Sequence, residues 1–320
     1  MSESGYPFVY INLETLFDVW EAMNPHSFVS GFTDEVSDDL GLQIKALKTL
    51  GWHHIDLRTV NGKNVSALSD EEFDLVHQQL TEDNIIIACF GSTIANWGRD
   101  AHISFEVDMA EMRQSIRHMQ RSGVKFIRIM SYRVEEPVKL DSELESIILK
   151  NIKNIVRLAE DHGIVCLHEN CETWGGQSAD HSLRLLEQVN SPSLKLVYDT
   201  GNPVSMMDVR GDEPFSYQDP LAFFKEVIDH VAYLHIKDAK WVDNTLHYTF
   251  PGEGDGKVKE ILALILKHNM AIPISIEPHV AVVFHDPSIK ASLEDRWTHF
   301  IDYGNQFVAM AKEAGISFNW

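Results

Sequence analysis

Four potential metal ligands each stand at the end of a short apolar run in this sequence. The four segments are Ile164-Val-Cys-Leu-His-Glu169, Leu196-Val-Tyr-Asp199, Ala232-Tyr-Leu-His235 and Ile274-Ser-Ile-Glu277. An apolar run that changes abruptly to acids, amides and glycines is typical of a buried barrel strand whose last residues enter a site. One such ending carries little information, but four in succession predict a shared site.

The donor atoms of this set are three carboxylates and one imidazole. Adjacent strands stand about 4.8 Å apart, so inward residues at one level converge on a common point. A set made mostly of hard oxygen donors favours Mn²⁺, Mg²⁺ or Co²⁺, with Zn²⁺ as a further alternative. The competing interpretation is that these are solvated strand-end acids and a core histidine with no shared role.

The elements that would position these residues follow a regular alternation from residue 28 onward. Predicted strands cover residues 28–32, 53–57, 85–90, 126–130, 164–169, 194–198, 231–236 and 272–276. Predicted helices lie between them, with a capping box at Ser69 and a helix start at Asp219-Pro220. Continuous apolar strands alternating with helices predict a single (β/α)₈ TIM barrel, with an open sheet as the alternative.

The two ends of the chain extend this barrel. Residues 1–26 are predicted to form an N-terminal extension, in which residues 13–20 have the pattern of an amphipathic helix. Residues 27–320 are predicted to form the barrel and catalytic domain, closed by a long C-terminal helix from about 288 to 314. Long loops at 201–220 and 239–256 follow strands that carry proposed ligands.

The charge and cysteine content exclude several classes of function. Lys and Arg number 27 against 48 Asp and Glu, a net charge of −21, which repels nucleic acid and anionic membranes. The three cysteines show no paired spacing, as expected in a reducing compartment. No basic leader and no apolar run of roughly 20 residues is found, which predicts a cytoplasmic protein.

Several motifs resemble those of the xylose-isomerase-like TIM barrels, the sugar phosphate isomerase/epimerase family. They are Phe32-Thr-Asp-Glu35, Asp56-Leu-Arg58, Tyr198-Asp-Thr-Gly-Asn202, His235-Ile-Lys-Asp238, Pro251-Gly-Glu-Gly-Asp255 and Ile276-Glu277. The resemblance covers about residues 28–285 and implies one divalent metal held by Glu169, Asp199, His235 and Glu277. It also implies a small sugar or polyol as substrate and is compatible with a homo-oligomer.

The resemblance further implies that Glu169 and Glu277 move protons next to a carbonyl through a metal-held ene-diolate. Glu169 would remove a proton and Glu277 would return one, giving an epimer or an aldose–ketose pair. A metal-dependent lyase, like inosose dehydratases or C-glycoside deglycosidases, is the alternative enzyme. A barrel that serves only as a binding or partner subunit is the alternative outside enzymes.

The chain also differs from parts of the superfamily. Many relatives have histidine at the position of Asn202, and epimerases of the tagatose type have glutamate and arginine where this chain has Gly175 and Trp241. The DNA endonuclease branch needs additional histidines, and Arg58 and the pair Ser92-Thr93 at strand ends do not supply them. These differences leave the precise reaction open between epimerase, isomerase and lyase.

Six further residues are candidate substrate-binding groups because they lie near predicted strand ends: Lys237, His279, Trp174, Arg58, Glu35 and Asn202. Lys237 and His279 share strand parity with His235 and Glu277, so they are expected to face the same side. Trp174 would stack on a sugar face. For each of them, ordinary packing or solvation at a strand end is the alternative interpretation.

Overall fold

The computed structural model describes residues 27–138, 140–282 and 291–318. These residues contain fourteen strands, numbered in chain order: β1 Val29–Gly31, β2 His54–Leu57, β3 Thr59–Val60, β4 Lys63–Asn64, β5 Ile86–Gly91, β6 Phe126–Ile129, β7 Val165–Glu169, β8 Leu194–Asp199, β9 Met207–Asp208, β10 Ser216–Tyr217, β11 Val231–Ile236, β12 Asp238–Val242, β13 Thr245–Thr249 and β14 Ile274–Ile276. Eight of them form the main sheet, in the order β1-β14-β11-β8-β7-β6-β5-β2.

The main sheet is a nearly closed barrel of parallel strands. Every strand pairing recorded within it is parallel. Its two terminal strands, β1 and β2, meet at the remaining seam, where the hydroxyl of Ser30 donates to Oδ1 of Asp56 at 2.8 Å. The predicted (β/α)₈ barrel is therefore confirmed.

Helices separate the barrel strands and cover the outside. The described residues contain nine α-helices, numbered in chain order: α1 Leu40–Leu50, α2 Asp70–Glu82, α3 Phe105–Ser122, α4 Glu143–Glu160, α5 Ala179–Val189, α6 Asn202–Ser205, α7 Pro220–Val227, α8 Val258–Lys267 and α9 Leu293–Glu313. The capping box predicted at Ser69 is present at the start of α2, and Asp219 caps α7 as expected. The predicted C-terminal helix is α9, with its own capping box at Ser292.

Side-chain alternation along the strands builds the barrel interior in layers. One layer is an apolar cluster of Cys89, Phe126, Leu167, Val197 and Tyr233. Two residues further along β6, β7, β8 and β11 stand the polar side chains of the candidate site. The opposite face of each strand packs against the helices in a larger apolar core. The candidate site therefore lies directly above a packed apolar layer, at the carboxyl ends of the strands.

The two long segments predicted as loops contain more secondary structure than expected. Residues 239–256 include most of an antiparallel hairpin, in which β12 pairs with β13. Its turn residues Asp243 and Asn244 have φ values of 48° and 59°, as a two-residue type I′ turn requires. The other segment, 201–220, contains α6 and the short pair β9–β10.

The helix predicted at 13–20 and the division of the chain at residue 26 lie outside the described residues and remain predictions. Position 288, where the last helix was expected to begin, also lies outside them; within the described residues that helix begins at Leu293, after the N-cap Ser292. Within the ranges that the structure describes, no helix has both the length and the apolar composition needed to cross a bilayer.

Candidate active site

The four predicted metal ligands meet at the carboxyl ends of four neighbouring strands. Glu169 and Asp199 are the last residues of β7 and β8, His235 is next to last in β11, and Glu277 directly follows β14. One ligand atom from each residue lies within 4.8 Å of those from the other three, and all four residues are buried. The barrel thus brings together ligands that are far apart in the sequence.

The unsatisfied atoms of this group test whether it fits a metal ion. Both ring nitrogens of His235 are buried and have no hydrogen-bond partner among the described residues. Oε2 of Glu169 and Oδ2 of Asp199 also have no hydrogen bond there, and their contacts are ion pairs with Arg128 at 3.3 Å and Lys237 at 3.1 Å. Buried polar atoms without hydrogen bonds are uncommon because they have lost their bonds to water without replacement. Carboxylate oxygens with one imidazole are suitable donors for Mn²⁺, Mg²⁺ or Zn²⁺. The residues therefore fit a divalent ion.

The charge balance of the site also favours a bound cation. The side chains of Arg58, Arg128 and Lys237 lie within ion-pair distance of five carboxylates, those of Asp34, Glu35, Glu169, Asp199 and Glu277. When all five are ionised, negative charges exceed these three positive charges by two. One divalent ion supplies that missing charge.

Glu169 is held in its ionised form by its neighbours. Burial opposes ionisation of its carboxylate, but Arg128 at 3.3 Å and His235 at 3.5 Å outweigh burial and lower the pKa of Glu169 to about 2. The side-chain amide of Asn202 donates at 3.3 Å to Oε1 of Glu169, the oxygen that also faces His235, whereas Arg128 pairs with Oε2. Glu169 is therefore ready to accept a proton, although a carboxylate with so low a pKa is a weak base.

Glu277 has a different pair of cationic neighbours. One carboxylate oxygen forms an ion pair with Arg58, and Nζ of Lys237 lies 3.2 Å from the other. Burial opposes ionisation, but Lys237, His279 and Arg58 together hold the pKa of Glu277 well below its usual range. Arg58 is itself fixed by two hydrogen bonds to Asp34, at 2.8 and 3.0 Å.

Asp199 and Lys237 form the third part of the site. Oδ1 of Asp199 accepts hydrogen bonds from the backbone N–H groups of Gly201 at 2.8 Å and Asn202 at 2.7 Å. Its Oδ2 lies 3.1 Å from Nζ of Lys237. Burial raises the pKa of Asp199 despite Lys237, whereas Asp199 and Glu277 raise the pKa of Lys237 well above its usual range despite burial. Lys237 is thus a fixed positive charge rather than a proton donor.

His279 and Glu35 form a buried pair beside Glu277. Nδ1 of His279 lies 2.9 Å from Oε1 of Glu35, and the backbone N–H of His279 donates to Oε2 at 2.9 Å. The φ of His279 is 55°, a left-handed conformation that is unfavourable for a residue other than glycine. Glu35 therefore holds both the ring and the strained backbone of His279 in place, as functional sites often require.

A cavity of about 620 Å³ opens above these residues. Five of the six predicted substrate-binding residues lie in or beside it: Arg58, Asn202, Lys237 and His279 line the cavity, and Glu35 contacts His279. Trp174 does not line it, because its side chain is fully buried and its ring packs edge-on against His181. Stacking of Trp174 on a sugar is therefore not supported. Trp97, in the loop after β5, does line the cavity.

Sequence reasoning missed four residues that line the cavity. They are Leu246 and Tyr248 of β13, and Met206 and Met207 beside α6. The only sequence signal for the hairpin was Asp243-Asn244, a turn pair flanked by residues suited to strands. Asn170 donates to the backbone oxygen of Asp199 at 2.9 Å and so connects the ends of β7 and β8.

Comparison with known proteins agrees with this fold. The model of the xylose isomerase-like TIM barrel family matches residues 44–298. An inosose dehydratase from Clostridium tetani is 22% identical over 150 residues, which cover 42% of this chain and 47% of that protein. The match thus spans about half the length of this curated relative.

Solved structures with the same fold cover nearly the whole chain. A xylose isomerase-like TIM barrel protein from Mycobacterium smegmatis, in complex with magnesium, has a TM-score of 0.66 at 16% identity, covering 90% of this chain and 97% of its own. D-allulose 3-epimerase from Methylomonas sp. has a TM-score of 0.63 at 16% identity, covering 90% and 98%. Identity this low supports a shared fold alone. By the family match over most of its length, this chain belongs to the xylose isomerase-like TIM barrel family.

Proposed function

We propose that this protein is a divalent-metal-dependent isomerase or epimerase that moves a proton next to a carbonyl group of a sugar or polyol. The observation that carries the proposal is the environment of Glu169 and Glu277. Each carboxylate is buried and forms an ion pair with its own arginine, Arg128 or Arg58, beside a donor set that fits one metal ion. We propose Mn²⁺ as that ion, with Mg²⁺, Co²⁺ and Zn²⁺ as alternatives.

The two glutamates have complementary roles in this proposal. Glu169 accepts the proton from the carbon next to the carbonyl, and Glu277 returns one, to the same carbon or to its neighbour. Because Glu169 is a weak base, the substrate C–H has to be acidified, and Lewis-acid polarisation is the chemistry that a bound divalent ion supplies. Lys237 and Arg58 add fixed positive charge near the developing enolate.

The remaining polar residues of the cavity are proposed to position the substrate. Asn202 and Lys237 present hydrogen-bond donors next to Glu169 and Asp199. Glu35 fixes the ring of His279, which lines the same cavity. A sugar or polyol, with hydroxyl groups on successive carbons, matches this dense arrangement of charged and polar groups.

A lyase is the second candidate, and the buried Glu35–His279 pair is the observation that favours it. An oriented imidazole beside Glu277 can protonate a leaving group, which β-elimination requires and simple epimerisation does not. An inosose dehydratase is among the proteins whose sequence is similar to this chain. A non-catalytic binding or partner subunit is the remaining alternative; it does not account for two ionised glutamates beside unsatisfied ligand atoms.

The cysteines and the net charge support a proposal for the cellular location and the class of substrate. All three cysteines are free, and Cys89 and Cys166 are buried. Unpaired thiols together with the net charge of −21 support a cytoplasmic location and a small-molecule substrate rather than nucleic acid. Assembly into a homo-oligomer stays a prediction.

Metal analysis combined with isotope exchange tests the proposal. Protein purified without chelator is expected to contain about one divalent ion per chain, and Glu277→Gln is expected to reduce that content. Sugars incubated with the metal-loaded protein in deuterated buffer should gain deuterium without a change of formula. Glu169→Gln should abolish exchange, whereas Glu106→Gln, at an exposed position of α3, should not.

Three outcomes would change the conclusion. An ultraviolet-absorbing enone or a released leaving group would identify the lyase. Retention of full exchange by Glu169→Gln would remove this residue from the mechanism. Wild-type protein that neither contains a metal nor takes one up would contradict the metal-dependent reaction altogether.

A further inference from the structure

Tyr248 is a polar residue of the cavity with no role in the proton transfer proposed above. It lies on β13 and lines the cavity together with Lys237, Glu277 and His279. Its side chain is half-buried, and its hydroxyl forms no hydrogen bond within the described residues. The ring packs edge-on against the ring of His279, with centroids 5.2 Å apart. Tyr248 therefore has a packed ring and a hydroxyl that is available to a ligand.

The closed end of the β12–β13 hairpin holds Tyr248 in place. The residue after it, Thr249, pairs with Asp238 across the hairpin. The buried carboxylate of Asp238 accepts hydrogen bonds from the backbone N–H groups of Gly252 and Gly256, both at 2.8 Å, and so joins β12 to the turn that follows β13. Tyr248 stands at this end of the hairpin, away from its exposed tip. Its position is therefore set before a ligand binds.

The surroundings of Tyr248 keep its hydroxyl protonated. Burial raises the pKa of Tyr248 to about 12; Lys237 opposes this rise, and the carboxylates of Asp199 and Glu277 add to it. The effect of a charge falls with distance, so the phenol lies beside the charged groups of the site. At neutral pH Tyr248 is therefore an uncharged hydrogen-bond donor.

The cationic donors nearest the two glutamates already have carboxylate partners. Arg58 and Lys237 pair with Glu277, and Arg128 pairs with Glu169. A donor without such a partner can turn to a ligand oxygen without breaking an ion pair. A neutral phenol also suits an oxygen that gains negative charge during a reaction, because its hydrogen bond strengthens as that charge develops.

We propose that the hydroxyl of Tyr248 donates a hydrogen bond to the substrate oxygen that becomes negatively charged when Glu169 accepts its proton. This inference rests on the proposed function, in which the carbonyl oxygen of the substrate becomes an enolate oxygen. The electron pair of the breaking C–H bond moves toward that oxygen, the proton goes to Glu169, and Tyr248 keeps its own proton throughout. Tyr248 is then a catalytic residue that stabilises the charged state more than the bound substrate.

Binding of two small probes to the full chain tests this inference without requiring turnover. Glycolohydroxamate, whose planar anion resembles an ene-diolate, represents the charged state, and glycolamide represents a neutral carbonyl next to a hydroxyl group. In isothermal titration with saturating Mn²⁺, Tyr248→Phe should lower the affinity for glycolohydroxamate by about ten-fold or more, since hydrogen bonds to charged groups are the stronger ones. The affinity for glycolamide should fall by less than about three-fold, because its oxygen carries no full charge.

Controls separate the hydroxyl from packing. Tyr248→Phe keeps the ring beside His279, so its Mn²⁺ affinity should equal that of the wild type. Tyr217→Phe, at a position that is 45% exposed and not among the residues lining the cavity, should leave both probe affinities unchanged. In deuterium exchange into ketohexoses, Tyr248→Phe should lower kcat by about ten-fold or more and change KM by less than about three-fold, as expected when an interaction made mainly in the charged state is lost.

The outcomes distinguish this inference from the proposed function. Equal glycolohydroxamate affinity in the wild type and Tyr248→Phe, or an equal loss for both probes, would overturn the inference. Absence of glycolohydroxamate binding in the wild type would overturn it as well. A loss confined to glycolohydroxamate, in a protein that exchanges no deuterium into any sugar, would keep the donor and remove the isomerase. Exchange with the same kcat in the wild type and Tyr248→Phe would keep the isomerase and remove the role of Tyr248.

Discussion

Oδ2 of Asp56 and Nε2 of His235 face each other across 3.8 Å inside the barrel, and neither atom has a hydrogen-bond partner among the described residues. The other carboxylate oxygen of Asp56 accepts hydrogen bonds from Tyr233 at 2.6 Å and Ser30 at 2.8 Å. The second ring nitrogen of His235, Nδ1, lies 3.5 Å from Glu169 on the ligand side. A proton on Nε2 thus faces Asp56 and leaves the Nδ1 lone pair for a metal.

This relationship predicts that Asp56→Asn weakens metal binding. In this variant the side-chain amide oxygen keeps the hydrogen bonds from Tyr233 and Ser30, so the amide NH₂ group points at Nε2 of His235. Nε2 then has to accept a hydrogen bond, which places the imidazole proton on Nδ1, the nitrogen that faces the metal ligands. We expect about 10- to 100-fold lower affinity for Mn²⁺ in isothermal titration, the usual effect of losing a carboxylate behind a metal-bound histidine.

Tyr233→Phe is the matched control for this prediction. It removes one hydroxyl from Oδ1 of Asp56 but leaves Oδ2 opposite His235, so Mn²⁺ affinity should change by only about two- to three-fold, as expected for an interaction one step further from the ligand. Equal weakening in both variants would indicate general loss of packing rather than an effect on the tautomer of His235.

The buried ion pairs of Arg58 predict a large loss of stability when that side chain is removed. Arg58→Met leaves the carboxylates of Glu277 and Asp34 buried with fewer partners, so the free energy of unfolding should fall by roughly 3–5 kcal/mol in urea denaturation. Arg133→Met removes an exposed arginine that pairs with Glu135 at 3.4 Å, and should cost less than about 1 kcal/mol. Similar losses in the two variants would contradict the importance of burial.

Adding a side chain at Gly91 is expected to overpack the base of the site. A Cβ atom there would lie 2.8 Å from the Phe32 ring and 2.9 Å from Cβ of Arg58. We expect Gly91→Ala to lower the free energy of unfolding by about 1–3 kcal/mol. Gly98→Ala, whose added Cβ would contact only the Asn96 side chain at 3.3 Å, should have a much smaller effect in the same urea titration.

Because of His168, the free energy of unfolding is expected to depend on pH between about 4 and 6.5. Burial lowers the pKa of this fully buried histidine from 6.5 to about 4. In that interval the unfolded chain binds a proton that the folded chain does not, so the contribution is fully present above pH 6.5 and is lost as the pH falls toward 4.

The size of this effect is measured by comparing variants. From pH 7 to pH 4 the wild type should lose about 3 kcal/mol more stability than His168→Gln, which cannot take up the proton. His102→Gln, at an exposed position of the loop before α3, should follow the wild-type profile in the same urea titrations. A His168→Gln profile parallel to the wild type would show that His168 does not contribute.

The barrel, and the position of the four candidate ligands at its strand ends, were predictable from the sequence because each depends on local pattern. Continuous apolar runs identify strands buried on both faces, and Glu169, Asp199, His235 and Glu277 stand where those runs end. Because side chains alternate along a strand, the sequence also predicted that Lys237 and His279 face the same side as His235 and Glu277, and both line the cavity. The direction of the Trp174 side chain was not predicted correctly because this residue lies outside the strands, where no periodicity indicates which way a side chain points.

The tertiary structure alone decided which distant residues meet. The contact of Arg58 with Glu277 and the approach of Asp56 to His235 depend on how β1 and β2 close the barrel against β14 and β11, and no local pattern specifies that closure. Leu246 and Tyr248 likewise reach the cavity because the turn at Asp243-Asn244 brings β13 back alongside β12. The sequence therefore determined which chemical groups stand at the strand ends. Three-dimensional packing decided which of those groups contact one another, since contacts between distant residues arise only when the barrel closes.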